Sequence, residues 1–380
     1  MSNNTEDIHI ALCTHIPDLW ENGILNPSKA KLYPGCGWTS ELHKLWQHGS
    51  VVSGDVAARR ITSGEWPAQN VLIIQADGSK QGKLLEALRC HAFMHICWES
   101  PLYAFKVYDK VLGGKSPYAI HHMASSKLEP GERWGYQTCS PMRFACIAGS
   151  QKAWVDAHQK DDTRPRLNRI ALIAGYKPLR SEFGRCLNEK QWKSAPFGAI
   201  TDLRRGISKT YRNAKRLQTH PHRLKLIHSL AELIPVDIYG RNWERWVPQQ
   251  TQNINILGPC TNKLETLSRY EYSLVLENCL WPGYHTEKLA EALAAGTIPI
   301  TTLDALTAMM IPESAYIQAK CLSPADKPSI HQLPDQGERN AIRIEGQRFM
   351  SSDSAKHYFE IDFARYVTRE ILHFIERLNA

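Results

Sequence analysis

Short apolar runs alternate along the chain with longer segments whose apolar residues recur at every third or fourth position. These are the signatures of buried strands and of helices packed on a sheet. Residues 7–13, 70–76 and 91–97 read as strands, and residues 40–47 and 81–89 as helices, the latter with Leu84, Leu85 and Leu88 on one side. Strand, helix, strand in that order predicts a parallel unit with the helix packed against the sheet. Residues 102–166 are rich in Tyr, Pro, Gly and Trp and read mostly as loop and crossover, with a polar linker at 160–165. The alternation then resumes. Strands are expected at 168–174, 235–239, 272–277 and 297–300, and helices at 223–234, 262–269 and 287–295. Pro221 can open the first of these helices, because its missing N–H has no helical partner to lose there. Gly240 ends one strand and Gly296 caps one helix. A last helix is expected from about 355 to 378.

Two such sets predict an α/β chain of two Rossmann-like domains facing a cleft, followed by a C-terminal helix. The expected divisions are 1–165, 166–350 and 351–380, and a length of 380 residues suits two domains. Sheets of this kind take ligands at the carboxyl ends of their strands, which makes the cleft the expected site.

Composition alters this picture in a few places. The chain is 43% hydrophobic and 22% charged, as globular proteins are, and only residues 1–7 are polar enough to suggest disorder. A net charge of +8 favours anionic partners. The cations are densest where Arg204, Arg205, Lys209, Arg212, Lys215, Arg216, Arg223 and Lys225 occur with no acid between them. That stretch reads as a solvated helix face or as a patch facing phosphate or membrane. With no regularly interleaved aromatics, helix-turn-helix or zinc pattern, nucleic acid is not an expected partner. The ten cysteines form no CxxC pair and match no zinc spacing. The polar start does not resemble a signal peptide, and no apolar run approaches the roughly 20 residues that span a bilayer. Scattered cysteines of this kind suit reduced thiols, so the expected location is cytoplasmic, with peripheral contact at the inner face of the membrane compatible with it.

The most informative stretch is Tyr272 to Ile300, YSLVLENCLWPGYHTEKLAEALAAGTIPI. A buried strand ends at Glu277-Asn278, and a loop with Pro282 and Gly283 follows. The Thr286 hydroxyl is placed to cap the next helix, whose Leu289 and Leu293 share a core face. A helix N-terminus thus stands at the carboxyl edge of the sheet, where unpaired N–H groups and the helix dipole favour an anion such as a diphosphate. Lys288 in the first turn opposes that dipole unless an anion joins it. Glu287 could accept hydrogen bonds from neighbouring hydroxyls. By spacing alone, both residues also read as ordinary exposed helix positions.

Residues 276–300 resemble the donor-binding signature of the α-1,3/4-fucosyltransferase family: F-E-N, a short loop, Y-x-T-E-K, a helix and A-G-T-I-P-I. The resemblance implies a bacterial-type inverting transferase with two Rossmann-like domains of GT-B type, taking GDP-fucose as donor. It implies no required cofactor and assigns no metal ligand, Asp161-Asp162 being read as solvated linker. Asn278, Tyr284, Glu287 and Lys288 fall on the family's donor-binding positions. Arg223 falls in the segment whose arginine approaches the GDP phosphates, and Lys177 is a further cation in that neighbourhood. Trp98-Glu-Ser-Pro101 resembles the family's E-S-P element, which assigns Glu99 as the catalytic base. Residues 1–165 then hold the acceptor and 166–350 the donor. After Ile300 the chain departs from the family pattern, reading Thr301-Thr-Leu-Asp-Ala-Leu306, and the basic stretch at 181–220 looks like an insertion.

The reaction implied is fucosyl transfer to a hydroxyl of GlcNAc or Glc in a surface polysaccharide, in α-1,3 linkage and with inversion. Glu99 takes the hydroxyl proton, while Arg223, Lys288 and the helix N-terminus stabilise the departing diphosphate. The implied partners are GDP-fucose and the glycan acceptor. A transferase using a different nucleotide sugar and a non-catalytic glycan- or nucleotide-binding module of the same fold are the alternatives.

Overall fold

Two all-parallel sheets organise the chain in its computed structural model, which describes residues 8–30, 32–33, 35–75, 79–90, 92–97, 101–112, 118–121, 137–138, 145–158, 165–176, 207–244, 253–281, 283–319 and 332–379. Glu99, Lys177, Asp161 and Asp162 lie outside the described residues, as does the basic stretch before Ile207.

The first sheet contains β1 (His9–Cys13), β2 (Val51–Ser53), β3 (Val71–Gln75), β4 (Ala92–Cys97), β5 (Tyr118–His121) and β6 (Gln137–Thr138), in the order β2-β1-β3-β4-β5-β6. Both of its faces are covered, as parallel sheets require. Ile10, Leu12, Leu72 and Ile74 point into one apolar cluster, and Ala11, Cys13, Val71 and Ile73 into another. Its helices include α1 (Trp38–Leu45), α2 (Gly54–Thr62) and α3 (Lys80–Ala87). In α3 the expected leucine side is corrected. Leu85 and Gln81 are buried while Leu84 is half exposed, so the helix meets its neighbours through a narrower stripe. The segment at 102–166 includes regular elements among its described residues. It holds α4 (Pro101–Leu112) and α5 (Gln151–His158), and Leu102, Phe105 and Tyr108 of α4 are buried at helical spacing.

The second sheet contains β7 (Leu167–Ile173), β8 (Val236–Tyr239), β9 (Ile254–Gly258), β10 (Tyr270–Val275), β11 (Ile298–Thr301) and β12 (Ile317–Gln318), in the order β12-β11-β10-β7-β8-β9. Read from β9, this is the 3-2-1-4-5-6 order of a doubly wound nucleotide-binding sheet, and the order reverses between β7 and β10. Its helices include α6 (Lys209–Arg216), α7 (His220–Ala231), α8 (Lys263–Ser268), α9 (Glu287–Ala294) and α10 (Gln336–Met350). Gly240 has φ +150°, and a Cβ there would lie 2.1 Å from the Ala174 carbonyl oxygen, so only glycine lets the ends of β7 and β8 close together. Gly296, at φ +69°, closes α9. Its N–H bonds the Leu293 carbonyl and that of Thr297 bonds Ala292, the paired bonds of a Schellman cap.

The last helix, α11 (Glu360–Asn379), belongs to the first sheet. Phe363, Val367, Ile371 and Phe374 share a cluster with Trp38, Leu42 and Ile10, and the Trp38 and Phe363 rings meet edge-on at 5.3 Å. Ahead of α11 the Tyr358 carbonyl accepts from Cys146 and Ile147, and in its first turn the Asp362 carboxylate accepts from the Gln151 N–H. The chain accordingly divides into two compact units, one built on β1–β6 together with α11, the other on β7–β12.

Candidate functional site

At the carboxyl end of β10 the chain runs on through Leu276, Glu277 and Asn278, all buried, before looping to α9. A carboxylate at the end of an apolar strand needs compensation for the water it loses. Glu277, only 3% exposed, has it. Its oxygens accept from the Thr286 N–H at 2.7 Å, the Thr286 hydroxyl at 2.8 and 2.9 Å, and Lys288 Nζ at 3.1 Å. The helix dipole of α9 adds a favourable field for the negative charge. The cap expected of Thr286 is therefore corrected. Thr286 does occupy the N-cap position, but its hydroxyl accepts no backbone N–H. It donates to Glu277 and accepts from Lys288 at 2.6 Å.

The charges around α9 form a chain. Lys288 Nζ lies 3.6 Å from Glu287 Oε1, and Lys263, reaching over from α8, lies 3.5 Å from Glu287 and 3.2 Å from Glu291. Burial works against the Lys288 ammonium, yet Glu277 and Glu287 hold its pKa above the ordinary value. Burial likewise opposes the Glu287 carboxylate, but Lys288 and Lys263 outweigh it and bring Glu287 down to about 2. For Glu291 the balance goes the other way. Burial dominates, Glu287 adds repulsion, and the attraction of Lys263 leaves the carboxyl raised to about 7. Two lysines therefore keep Glu287 charged, while Glu291, one helical turn on, titrates near neutrality.

Arg223 reaches the same strand end from the first turns of α7, whose Pro221 stands at the helix start. It is 4% exposed, and one terminal nitrogen donates to the Leu276 carbonyl at 3.1 Å, the Glu277 carbonyl at 3.1 Å and Asn278 Oδ1 at 3.3 Å. The residues before α7 add a second clamp. Thr219 N–H bonds the Asn278 carbonyl at 3.1 Å, and the Thr219 hydroxyl donates to the Glu277 carbonyl. Gln218 forms an antiparallel bridge with Cys279, and the Leu280 N–H bonds the Leu217 carbonyl at 2.8 Å. Tyr284 is buried in the loop beyond, behind Gly283, whose N–H bonds Asp304 at 2.9 Å. Asp304 comes from the segment after Ile300, where the sequence departs from the family pattern. It also accepts from the Thr307 N–H and hydroxyl.

The structure thus gathers Arg223, Asn278, Glu287 and Lys288 at one strand end beside the point where the strand order reverses, with Tyr284 in the same loop. Glu277, Thr219, Lys263 and Asp304 are part of this arrangement and were not singled out by the sequence. Among the described residues, no group of three or more His, Cys, Asp or Glu side chains is gathered for a metal ion.

Two Rossmann-like units carrying parallel sheets, with a polar cluster at the switch point of the second, define the GT-B class of glycosyltransferase folds. A glycosyltransferase from Rickettsia africae ESF-5 shares the fold over 97% of this chain and 99% of its own, with a TM-score of 0.52 at 9% identity. Residues 208–328 match the family described as glycosyltransferase family 10 (fucosyltransferase) C-term. Over 79 residues it is 39% identical to the human 4-galactosyl-N-acetylglucosaminide 3-alpha-L-fucosyltransferase FUT6, which covers 20% of this chain and 19% of that protein. The human 3-galactosyl-N-acetylglucosaminide 4-alpha-L-fucosyltransferase FUT3 is 38% identical over 79 residues, or 20% of this chain and 19% of its own. The chain spans about a fifth of the length of the curated relatives it matches.

Proposed function

We propose that the protein transfers fucose from GDP-fucose to a hydroxyl of a glycan acceptor, with inversion at the sugar carbon. The observation that carries this reading is the cluster of Arg223, Glu277, Asn278, Glu287 and Lys288 at the β7–β10 switch point, inside the stretch that matches the fucosyltransferase family. A diphosphate at the N-terminus of α9 meets the dipole and the Lys288 ammonium, which Glu277 and Glu287 keep protonated. Glu287, held ionised, can only accept hydrogen bonds, which suits hydroxyls of ribose or fucose. Arg223 braces the strand end that presents Asn278, and its charge adds to the field at the leaving group. Glu99 is assigned the acceptor proton on its E-S-P context. A GlcNAc or Glc acceptor of a surface polysaccharide and the α-1,3 linkage rest on the sequence resemblance.

The test is donor turnover. Purified protein is given GDP-fucose, GDP-mannose, UDP-glucose or UDP-N-acetylglucosamine in turn, with N-acetyllactosamine present, and released nucleotide is measured. Release from GDP-fucose alone is the expected result. Release from another donor overturns the fucosyl assignment. No release, with no thermal stabilisation by GDP, leaves a non-catalytic module. Glu99→Gln is expected to abolish turnover while GDP binding persists, and near-normal turnover would remove Glu99 from the base role.

A further inference from the structure

Helix α6 divides its residues cleanly between two sides. Thr210, Tyr211 and Ala214 are buried, while Lys209, Arg212 and Arg216 are exposed on the opposite side, and Lys215 is half buried at the margin. At about 100° per residue, positions 209, 212 and 216 fall within about 60° of one another around the helix axis. Ser208 fixes the start of the helix by accepting the Tyr211 N–H at 3.1 Å. Lys209 occupies the first turn, where the dipole disfavours a cation unless an external anion is near. Two apolar side chains flank the cationic face, Ile207 before the helix at 69% exposure and Leu217 after it at 38%.

We propose that this face docks the protein on an anionic lipid surface. Charge complementarity selects an anionic partner, and the two exposed aliphatic side chains at the ends of α6 select a bilayer. They can enter the headgroup layer while the basic side chains between them meet lipid phosphates. Single-stranded nucleic acid would call for stacking aromatics beside the cations, whereas the flanking residues here are aliphatic. The docked helix is bonded directly to the candidate site. Leu217 and Gln218 pair with Leu280 and Cys279, so a membrane-seated α6 holds the carboxyl end of β10 close to the headgroups. That this presents the site to a lipid-borne glycan acceptor rests on the transferase reading; the docking itself does not.

The experiment is co-sedimentation of the full chain with phosphatidylcholine vesicles, with and without phosphatidylglycerol, over a range of salt. Binding is expected only with phosphatidylglycerol and is expected to weaken as salt rises. Replacing Lys209, Arg212 and Arg216 together by Gln is expected to lower partitioning on the order of 100-fold, with GDP-induced thermal stabilisation unchanged. The milder pair Ile207→Ser and Leu217→Ser is expected to lower partitioning less and to leave its salt dependence intact. Equal binding to both vesicle types, binding to neither, full retention by the triple variant, or preferential capture by single-stranded RNA in competition with the vesicles would each overturn the proposal. Donor turnover is measured in solution without lipid, so its failure is distinguishable from failure of docking.

Discussion

A single ammonium nitrogen, that of Lys288, contacts Glu277, Thr286 and Glu287 at once. Removing either member of the Lys288–Glu277 pair leaves Lys288 with Glu287, or Glu277 with the Thr286 donors, so the loss stays below the about 3–5 kcal/mol of a buried charge with no partner left. Glu277→Gln and Lys288→Met are each expected to be destabilising in urea unfolding. The double variant is expected to lose less than the sum of the two by about 1–3 kcal/mol. Strict additivity would show that the pair does not act as a unit. Glu291 makes a separate prediction. Its folded pKa, about 7, lies above its ordinary 4.5, so the native state binds the proton more tightly than the unfolded chain. The stability this contributes is full below about pH 4.5 and is lost as pH rises through 7. Glu291→Gln is therefore expected to gain thermal stability relative to the parent between pH 5 and pH 8, and parallel midpoints across that range would contradict the assignment. The places of Glu287 and Lys288 at the helix start beside the strand end were legible from one strand–loop–helix segment, whereas Asn278 and Arg223 came through resemblance. Glu277 was not legible, since its partner is eleven positions away and only the loop's path brings the two together.

Strand ends and helix caps carry much of the second unit's shape. Gly240→Ala would force a Cβ against the Ala174 carbonyl at a backbone angle that side chains avoid. It is expected to cost more than the ~1 kcal/mol that a glycine-to-alanine change gains at a compatible position, seen as a lowered melting midpoint; a neutral outcome would mean the β7 and β8 ends can part freely. Elements of this kind were readable where their own residues declare them. β10 closes on the apolar run Leu274-Val-Leu276, α9 has its leucines four apart, and Gly240 and Gly296 end their elements. Helix α10 was not readable. Its Ile344 is exposed, and Arg339 and Arg343 tie it to Glu271 at the start of β10, a link made by tertiary ion pairs that no local pattern reveals. Strand β2, three residues long, is too short to show a period and is recognised only by its pairing with β1.

Each of the two units has its own apolar core, but the chain visits the first of them twice. Phe363→Ala, at the contact of α11 with Trp38, is expected to cost about 3–5 kcal/mol. The loss should be seen in the unfolding of the first unit, with GDP-induced stabilisation of the second retained; equal loss in both would mean that the units unfold together. Nothing in the amphipathic pattern of residues 360–379 states which sheet they cover, because an apolar helix face matches any sheet of suitable shape, and only the packed clusters assign it. Protein synthesis gives this arrangement a consequence of timing. The ribosome releases β1–β6 first, then the whole second unit, and only afterwards the helix that covers Ile10, Leu12 and Trp38. Domains usually complete their folding in the order of their emergence, and here that order is inverted. The first unit waits with part of its core uncovered until the second has been made, which leaves the nascent N-terminal half the longest-lived substrate for chaperones.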